Sequence, residues 1–524
     1  MKKLGIMFWL LSWPWSLWAE EPVPGLFPHS PAPAALYVLE RGGLTNPDWH
    51  LAAILQGMAS RSGPGLYLVD SQSPTRGDEI FLSYYEQEYG IRNLGRIGVV
   101  EALKKFSGLF HGYAVFSFAE DWTVNAADTY CSIHDCLPVT AEQEALARGA
   151  GLKKIADFRG KWKTAQDALR WGLAELWPRC SKQVVASLSP RIHTCRDYLF
   201  AHKVFTFYLV ANGDQYDSLR RLLRQLPRDI PVMGYIARSG IEEWIVEYTL
   251  AASSKFMIPT DHVPNLSVHS GIPIRPLPVP PPPPPAPDLH GKLGVVFAFT
   301  DGDNLFIEAE RYLKPDSWLH PQRGQIQAAW SFAPELYELA PGIARYYYQT
   351  RTAQDSFVAL SGAGYTFTSA FRDHEFFRTV SLEYMNRSGL DTLWSLDPLL
   401  YLALDRRVIA RVLDPLGAEG DVQGVLAGYA PALNFRSWMK PAGYPPILFC
   451  KTNYFVIGET MLLRMISAEA ASVPQRGKVV FYGVNGWEVS YEELLAIQRH
   501  FRDREDIVWL SPPQAFAAIR SWSP

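Results

Sequence analysis

The chain has 524 residues, which is long for one domain, so we expect two domains, each with its own core. Hydrophobic residues make up 48% and charged residues 20%, a balance that excludes a largely disordered chain. A net charge of -3 indicates no basic face for nucleic acid or anionic lipid, so we expect no nucleic-acid partner.

The N-terminal segment has the pattern of a secretion signal. Two lysines precede the apolar run 4–18, and Ala19 is followed by two glutamates, which makes a cleavage site. The run is short and contains Pro14, which argues against a membrane-spanning helix. We therefore expect a signal peptide over residues 1–19, an exported (periplasmic or secreted) protein, and no later membrane span.

The cysteines are compatible with disulfides, because export permits them. Cys131 with Cys136, or Cys180 with Cys195, are plausible pairs, although the sequence leaves the connectivity open. Cys450 ends an apolar run and fits a buried hydrophobic residue better than a nucleophile. No C-x-x-C or His-rich spacing suggests zinc, so no metal site is expected from these residues.

Residues 31–271 alternate between strand-like and helical patterns. The runs ALYVLE, GLYLVD, YAVFSF, KQVVASL and PVMGYI are typical of strands, and DSLRRLLRQL is typical of an amphipathic helix. This alternation predicts an N-terminal α/β domain. Its first turn lacks a phosphate-binding glycine loop, which gives a nucleotide site little support.

A proline-rich segment divides the chain near its middle. The run PLPVPPPPPPAP, Pro276 to Pro287, lacks most of the N–H donors that a sheet needs and prefers an extended polyproline conformation. We therefore predict a linker over residues 272–290 that separates two domains.

Residues 291–524 alternate more regularly. Strand-like runs occur at GVVFAFT, QIQAAWS, SFVAL, DTLWSL, VQGVLA, PILFC, KVVFYG and DIVWL, and helical patterns lie between most of them. Eight such units predict a TIM-like (β/α) barrel, whether regular, deformed or seven-stranded. An open, doubly wound sheet is the alternative.

Polar and aromatic residues recur where these strands end, which is where barrels carry their reactive groups. The carboxylates at these positions are the candidate catalytic residues: Asp301, Asp303, Asp397 and Glu488. The amides, hydroxyls, aromatic rings and turn glycines are the candidate substrate-binding residues: Asn304, Trp330, Ser361, Gly362, Gly364, Tyr365, Asn453, Asn485 and Trp487. Such a set suits a sugar, because polar groups bind its hydroxyls and flat rings stack on its apolar faces.

The turn TDGDN also has simpler explanations. Asp and Asn cap helices, and the helical pattern FIEAERYL follows directly. A single divalent cation held by Asp301 and Asp303 is a further alternative, although Leu305 stands where a calcium loop needs a ligand. The stretch LSGAGYTF is not a serine-hydrolase elbow, because Ala359 occupies the position of its first glycine.

These stretches carry a family resemblance. TDGDN, WSFAPELYELAP and QDSFVALSGAGYTF, with RDYLFAHKVFTFYL, PVMGYI and PNLSVHSG upstream, resemble the bacterial family named for its G-x-G-Y-x-Y-P motif. Gly362, Gly364 and Tyr365 match the motif, whereas Phe367 replaces its second Tyr and Thr368 its Pro. The resemblance covers most of the chain and implies a two-domain protein with a glycoside hydrolase role.

Our leading hypothesis is therefore an exported glycoside hydrolase that acts on a carbohydrate through two carboxylates. Asp301 or Asp303 would supply one role and Asp397 or Glu488 the other. One alternative is a glycan-binding protein without catalysis, on the same scaffold. Another is a metal-dependent polysaccharide deacetylase, which would need a pair of histidines at helical spacing that the sequence lacks. No cofactor is expected.

Overall fold

A computed structural model describes residues 25–63, 65–210, 212–236, 241–279, 285–397, 422–428, 448–456 and 458–522, with the backbone alone for 448–456. The predicted signal peptide, residues 1–19, lies outside these ranges. Within them, none of the helices combines the length and apolar character needed to cross a bilayer.

The described residues of the N-terminal half form three separate parallel sheets. Their strand orders are β2-β1-β3, β5-β4-β6 and β10-β9-β7-β8. The strands are β1 (Ala35–Glu40), β2 (Gly65–Val69), β3 (Arg92–Arg96), β4 (Tyr113–Val115), β5 (Leu137–Val139), β6 (Lys154–Asp157), β7 (Val185–Ser187), β8 (Phe205–Phe207), β9 (Ile230–Gly234) and β10 (Lys255–Pro259).

Helices connect these strands, as parallel pairing requires. They are α1 (Asn46–Ala59), α2 (Gly77–Tyr89), α3 (Val99–Phe106), α4 (Trp122–His134), α5 (Glu144–Gly149), α6 (Ala165–Glu175), α7 (Arg196–Ala201), α8 (Gly213–Gln225), α9 (Ile241–Ala251) and α10 (Leu266–His269). Local sequence sets their ends: α1 begins where the Thr45 hydroxyl accepts a hydrogen bond from the Asp48 N–H at 3.3 Å.

In the described residues of the C-terminal half, eight parallel strands form one curled sheet, in the order β12-β13-β14-β15-β16-β17-β11-β18, with a further pairing of β11 with β12. The strands are β11 (Leu293–Phe299), β12 (Ala328–Phe332), β13 (Asp355–Leu360), β14 (Thr392–Ser395), β15 (Gly424–Ala427), β16 (Leu448–Val456), β17 (Lys478–Val484) and β18 (Ile507–Trp509). The predicted α/β class with a parallel sheet is confirmed, but a regular TIM barrel is not.

Six helices and one π-helical turn (Ile307–Arg311) accompany this sheet in the part of the chain that the structure describes. The helices are α11 (Leu336–Leu339), α12 (Pro341–Thr350), α13 (His374–Ser388), α14 (Glu459–Ala470), α15 (Tyr491–His500) and α16 (Pro512–Ser521). Every residue of β11 is buried, as its uniformly apolar sequence predicts, so the strand carries its terminal acids to the inside of the fold.

The two halves share a core. One cluster of buried apolar side chains contains Tyr85 and Met257 from the N-terminal half together with Phe299 and Trp330 from the C-terminal half. A second cluster lies within the N-terminal half alone. The sequence predicted a separate core on each side of the linker, but contacts between distant segments cannot be read from local patterns. The boundaries 31–271, 272–290 and 291–524 stay a prediction.

The cysteine pairs expected from the sequence are not formed. Cys131, Cys136, Cys180 and Cys195 are all buried free thiols. The Sγ atom of Cys195 instead lies 3.5 Å from the Thr260 hydroxyl, and burial raises the pKa of this thiol. These cysteines therefore act as small buried side chains. The side chain of Cys450 lies outside the described part of β16.

Candidate functional site: a buried carboxylate cluster

The turn after β11 holds Asp301 and Asp303 in a constrained position. A β-carbon at Gly302 would lie 2.2 Å from the Ser331 carbonyl oxygen, so only glycine fits between this turn and β12. The Gly302 N–H donates to the Ser331 hydroxyl at 2.8 Å. Asp301 has φ of 70°, a conformation that costs a non-glycine residue energy and often accompanies a functional constraint.

Asp303 lies at the centre of a group of acids. Its side chain is buried, with 7% exposed. Burial raises the pKa of Asp303 well above its usual value, and the nearby charges of Asp301 and Glu243 raise it further. The carboxyl group of Asp303 therefore keeps its proton to a higher pH than an exposed aspartate does. Asp301, in contrast, is partly exposed.

Three deeper carboxyls surround Asp303: Glu247, Glu308 and Glu335. Burial raises the pKa of Glu335 to about 8 and raises that of the other two well above the usual range, and Asp303 adds to the rise in all three. Among the described residues, neither carboxyl oxygen of Glu247 or Glu335 has a hydrogen-bond partner. Unsatisfied buried acids are rare and call for an explanation.

The N-terminal half supplies part of this cluster. Glu243 and Glu247 lie on α9, and the hydroxyl of Tyr365 donates to Oε1 of Glu243 at 2.9 Å. Tyr365 itself pairs with Met257 of β10 through two backbone hydrogen bonds of 2.8 and 2.9 Å. The tyrosine of the glycine-rich motif therefore connects the two halves and holds one acid of the cluster.

The motif glycines make this contact sterically feasible. A β-carbon at Gly364 would lie 2.6 Å from Cδ1 of Ile258 and 2.8 Å from the carbonyl oxygen of Met257. At Gly362, where φ is 89°, it would lie 2.6 Å from the Ser381 hydroxyl. Both glycines thus position the loop. As glycines, they have no side chain with which to contact a substrate.

An aromatic pair with one exposed ring forms where the residues after β17 meet those after β11. Trp487 is 39% exposed and stacks on Phe306, with ring centroids 5.9 Å apart and planes 17° apart. The Trp487 carbonyl accepts a bond from Nε of Arg311 at 3.1 Å, and its N–H donates to Asn485 at 2.8 Å. His262 lies next to Phe306, at 6.0 Å between ring centroids. This fixed, flat surface suits a sugar ring.

Two of the predicted catalytic acids lie in other settings. Asp397 is fully buried and accepts a hydrogen bond from the Ser369 N–H at 2.6 Å, which holds the loop after the glycine motif. Glu488 is exposed, and its own N–H bonds to the Asn485 carbonyl. The charges that raise the pKa of Asp303 come first from Asp301 and then from Glu243.

Trp330 was predicted to stack on sugar, and this is wrong. The side chain is completely buried and stacks on Phe299 at 4.4 Å, and its Nε1 donates to Asp355 at 2.9 Å. Asn304 behaves as a helix cap, because its Oδ1 accepts from the Phe306 N–H at 3.1 Å.

Two further predicted binding residues, Ser361 and Asn453, lie after β13 and on β16. Ser361 is buried with φ of 61°, and its hydroxyl has no hydrogen-bond partner among the described residues. Asn453 lies on β16 in register with Tyr482, and its side chain lies outside the described residues.

The sequence missed Glu243, Glu247, Glu308 and Glu335. Glu335 follows β12 within SFAPE, so the same search of strand ends that identified Asp301 could have found it. Glu308 is placed at an interior position of an otherwise amphipathic pattern, which was a weaker signal. The two glutamates of α9 gave none, because only the packing of the halves buries them. In the described ranges, no three His, Cys, Asp or Glu side chains are arranged to hold a metal.

The comparisons with known proteins agree with this architecture. Three family models match: "GxGYxYP putative glycoside hydrolase C-terminal domain" at residues 291–455, "GxGYxYP_N second domain" at 110–180 and "GxGYxYP third domain" at 182–271. The chain belongs to the GxGYxYP family, which confirms the resemblance seen in the sequence.

A crystal structure of a "putative hydrolase" from Bacteroides thetaiotaomicron VPI-5482 is similar with a TM-score of 0.80. The alignment covers 97% of this chain and 99% of that one at 20% identity, so it establishes a shared fold over nearly the whole length. No curated protein matches the chain.

Proposed function

We propose that the protein hydrolyses glycosidic bonds, with Asp303 as the general acid and Asp301 as the ionised partner. The observation that carries this proposal is the buried carboxyl of Asp303, whose pKa is raised by burial, together with the partly exposed Asp301 two residues before it at the end of a strand. A pair of acids in two different environments is the arrangement that glycosidases need. The family to which the chain belongs supports the reaction class.

In this mechanism Asp303 donates its proton to the glycosidic oxygen as the bond to the anomeric carbon breaks. Asp301 either attacks that carbon or removes a proton from the attacking water. A separation of about 5–5.5 Å between the two carboxyls would give retention, and about 6.5–9.5 Å would give inversion. In the retaining case, Asp303 then removes a proton from the water that releases the sugar.

The neighbouring acids would keep Asp303 protonated. Asp301 and Glu243 raise its pKa, and Asp303 in turn raises the pKa values of three buried glutamates, so each further negative charge in this group would be unfavourable. Loss of the Asp303 proton to water would therefore be unfavourable, and the proton would stay on Asp303 until it is transferred to the leaving group. Trp487 and Phe306 would bind the sugar ring at the rim, with Asn485 fixing the tryptophan.

The strand pairing in the C-terminal sheet supports a closed barrel around the proposed site. We infer a seven-stranded barrel, because β11 pairs with β17 along its whole length and with β12 at its C-terminal end. This closure would place the loops after the strands around one cleft.

We also infer that the protein acts outside the cytoplasm, because residues 1–19 have the pattern of a secretion signal.

The test compares Asp303→Asn and Asp301→Asn with the wild type on a panel of glycans, measuring released reducing sugar. We expect hydrolysis to fall by about 10²–10⁴-fold in each variant, because a positioned proton donor or its partner is lost. Asp503→Asn is the matched control, since that side chain is 91% exposed, and it should leave hydrolysis unchanged. Melting temperatures should not fall in the two site variants.

A wild-type protein that binds glycans and cleaves none of them would instead support a glycan-binding protein. The exposed stack of Trp487 on Phe306 is the observation that favours this second candidate. In that case both Asn variants should bind as well as the wild type, and Trp487→Ala should lose binding.

A further inference from the structure

A basic groove lies mainly on the N-terminal half, at the opposite end of α9 from Glu243 of the carboxylate cluster. It has a volume of about 700 Å³, within the usual range for ligand pockets. Five cationic side chains line it, and no Asp or Glu does so among the described residues: Arg220, Arg224, Arg228, Lys255 and Arg372. The first three come from α8 and the turn after it, whereas Arg372 follows the glycine motif of the other half.

The acids beside the groove leave it with an excess of positive charge. Asp217 lies 4.0 Å from Arg220, and Asp373 lies 3.9 Å from Arg228. These are long, exposed pairs that contribute little. Asp229 is the third acid nearby, and its charge acts on Lys255. Three carboxylates thus stand beside five cations, and all three lie outside the lining.

The sides and base of the groove are suited to a sugar. Tyr216 and Tyr248 both line it, and the Tyr216 hydroxyl is fixed by a 2.7 Å hydrogen bond with Thr249. Tyr248 is 51% exposed, so its ring can be reached from solvent. Ser254 lines the groove, is 1% exposed, and its hydroxyl has no hydrogen-bond partner among the described residues. Buried polar groups without a partner are rare and call for an explanation, which a bound ligand would supply.

We propose that this groove binds an acidic polysaccharide segment, with its carboxylate or sulfate groups seated on the arginines. Guanidinium groups form paired, charge-assisted hydrogen bonds with both kinds of anion. The two tyrosines supply faces for the sugar rings, and Ser254 supplies a hydroxyl. That the anion is carried on a sugar rests on the proposed glycoside hydrolase function.

The position of α9 connects the groove to the acids. Glu243 near its start belongs to the carboxylate cluster, and Ala252, just past its end, lines the groove. At 1.5 Å per residue, these two positions lie roughly 13 Å apart along the helix. A polysaccharide chain of a few units is long enough to cover that distance, so the groove would select acidic chains and hold them near the reactive carboxyls.

The experiment measures binding of three probes to the full chain by calorimetry: an oligogalacturonate, a heparin-derived oligosaccharide and a neutral cello-oligosaccharide. The test variant is Arg224→Glu with Arg228→Glu. The control is Arg464→Glu with Arg476→Glu, two exposed arginines outside the groove that give the same change in net charge. Asp303→Asn, carried in parallel, separates binding from hydrolysis.

We expect at least one acidic probe to bind and the neutral probe to bind at least tenfold more weakly. The groove variant should lose at least tenfold in affinity, whereas the control and Asp303→Asn retain it, and added salt should weaken the interaction. If the wild type binds an acidic probe but hydrolyses none, the proposed hydrolase function is wrong and the proposed groove function stands. Equal binding by the groove variant and its control would overturn this inference, as would tighter binding of single-stranded DNA than of either acidic sugar.

Discussion

Two buried carboxyls, Asp128 and Asp303, are equally hidden from solvent and have opposite surroundings. Asp128 accepts hydrogen bonds from His50 at 2.9 Å and from Arg196 at 2.6 Å. Burial would raise the pKa of Asp128, but its interactions with His50 and Arg196 outweigh burial and lower it. Among the described residues, the charges that act most on Asp303 are those of two other acids, Asp301 and Glu243, and both raise its pKa.

The difference separates a structural acid from a candidate catalytic one. Asp128 is ionised and fully paired, so its role is to fix α4 against α7. The pKa of Asp303 is raised, and its buried neighbours Glu247, Glu308 and Glu335 have carboxyl oxygens without a hydrogen-bond partner among the described residues, which lowers stability and leaves protons that can be transferred. A fold keeps such a costly group only where it has another use.

The largest expected effect is on the structural side of this comparison. Asp128→Ala removes one partner of a buried ion pair and leaves Arg196 uncompensated, so we expect a loss of about 3–5 kcal/mol in the free energy of unfolding. Urea titration measures it. Asp303→Asn, measured in the same way, should lose nothing. Similar losses in the two variants would contradict the distinction between paired and unpaired acids.

A smaller, pH-dependent effect is expected at Glu335. Its pKa is about 8 in the folded protein and near 4.5 in the unfolded chain, so between these values the folded state binds the additional proton. The free energy of unfolding therefore falls as pH rises through this window, by up to about 1.4 kcal/mol per pH unit for this group. Glu335→Gln should flatten the slope by that amount.

The control for this slope is Glu101→Gln, because Glu101 is exposed on α3. Its unfolding free energy should follow that of the wild type at every pH between 4.5 and 8. If Glu335→Gln also follows the wild type, then Glu335 is ionised in the folded protein and the buried cluster does not hold its proton.

The smallest effect concerns the one acid of the cluster that receives a hydrogen bond from the motif. Tyr365→Phe removes the hydroxyl that donates to Glu243 and should cost about 1 kcal/mol of stability. It should also change the pH profile of hydrolysis, since the pKa of Glu243 rises further without this donor. Tyr113→Phe removes a comparable 3.1 Å bond to Glu144, far from the cluster.

Denaturation and hydrolysis profiles of these two variants distinguish the roles. Equal losses of stability with a shifted profile only in Tyr365→Phe would place the motif tyrosine in the working site. Identical pH profiles of hydrolysis for both variants and the wild type would show that Tyr365 only connects the two halves.

Structural features that depend on neighbouring residues in the chain could be predicted from the sequence. The uninterrupted apolar run of β11 and the acids after it were sufficient to predict a buried strand with Asp301 and Asp303 at its end. Trp330 was misjudged because a residue at a strand end can point into the core as easily as into a cleft. Glu243 and Glu247 could not be found at all, since only the folded structure brings α9 close to Asp303 of the other half.

The distribution of charge over the surface could not be predicted from the sequence either. The net value of -3 suggested that no basic face exists, yet Arg220, Arg224 and Arg228 converge with Arg372 in one groove. A sum over the chain cannot detect a local excess that is balanced elsewhere, and three of these arginines are more than a hundred residues from the fourth. Folding, rather than composition, creates such a surface.

The contact between Met257 and Tyr365 has a consequence for how this protein can evolve. Binding modules that sit on enzymes as separate units are readily gained, lost and exchanged by recombination. Here the N-terminal half provides Glu243 and Glu247 to the same cluster as Asp303, so exchanging it for that of a distant relative would replace part of the reactive centre. The two halves are therefore expected to be inherited as a single unit.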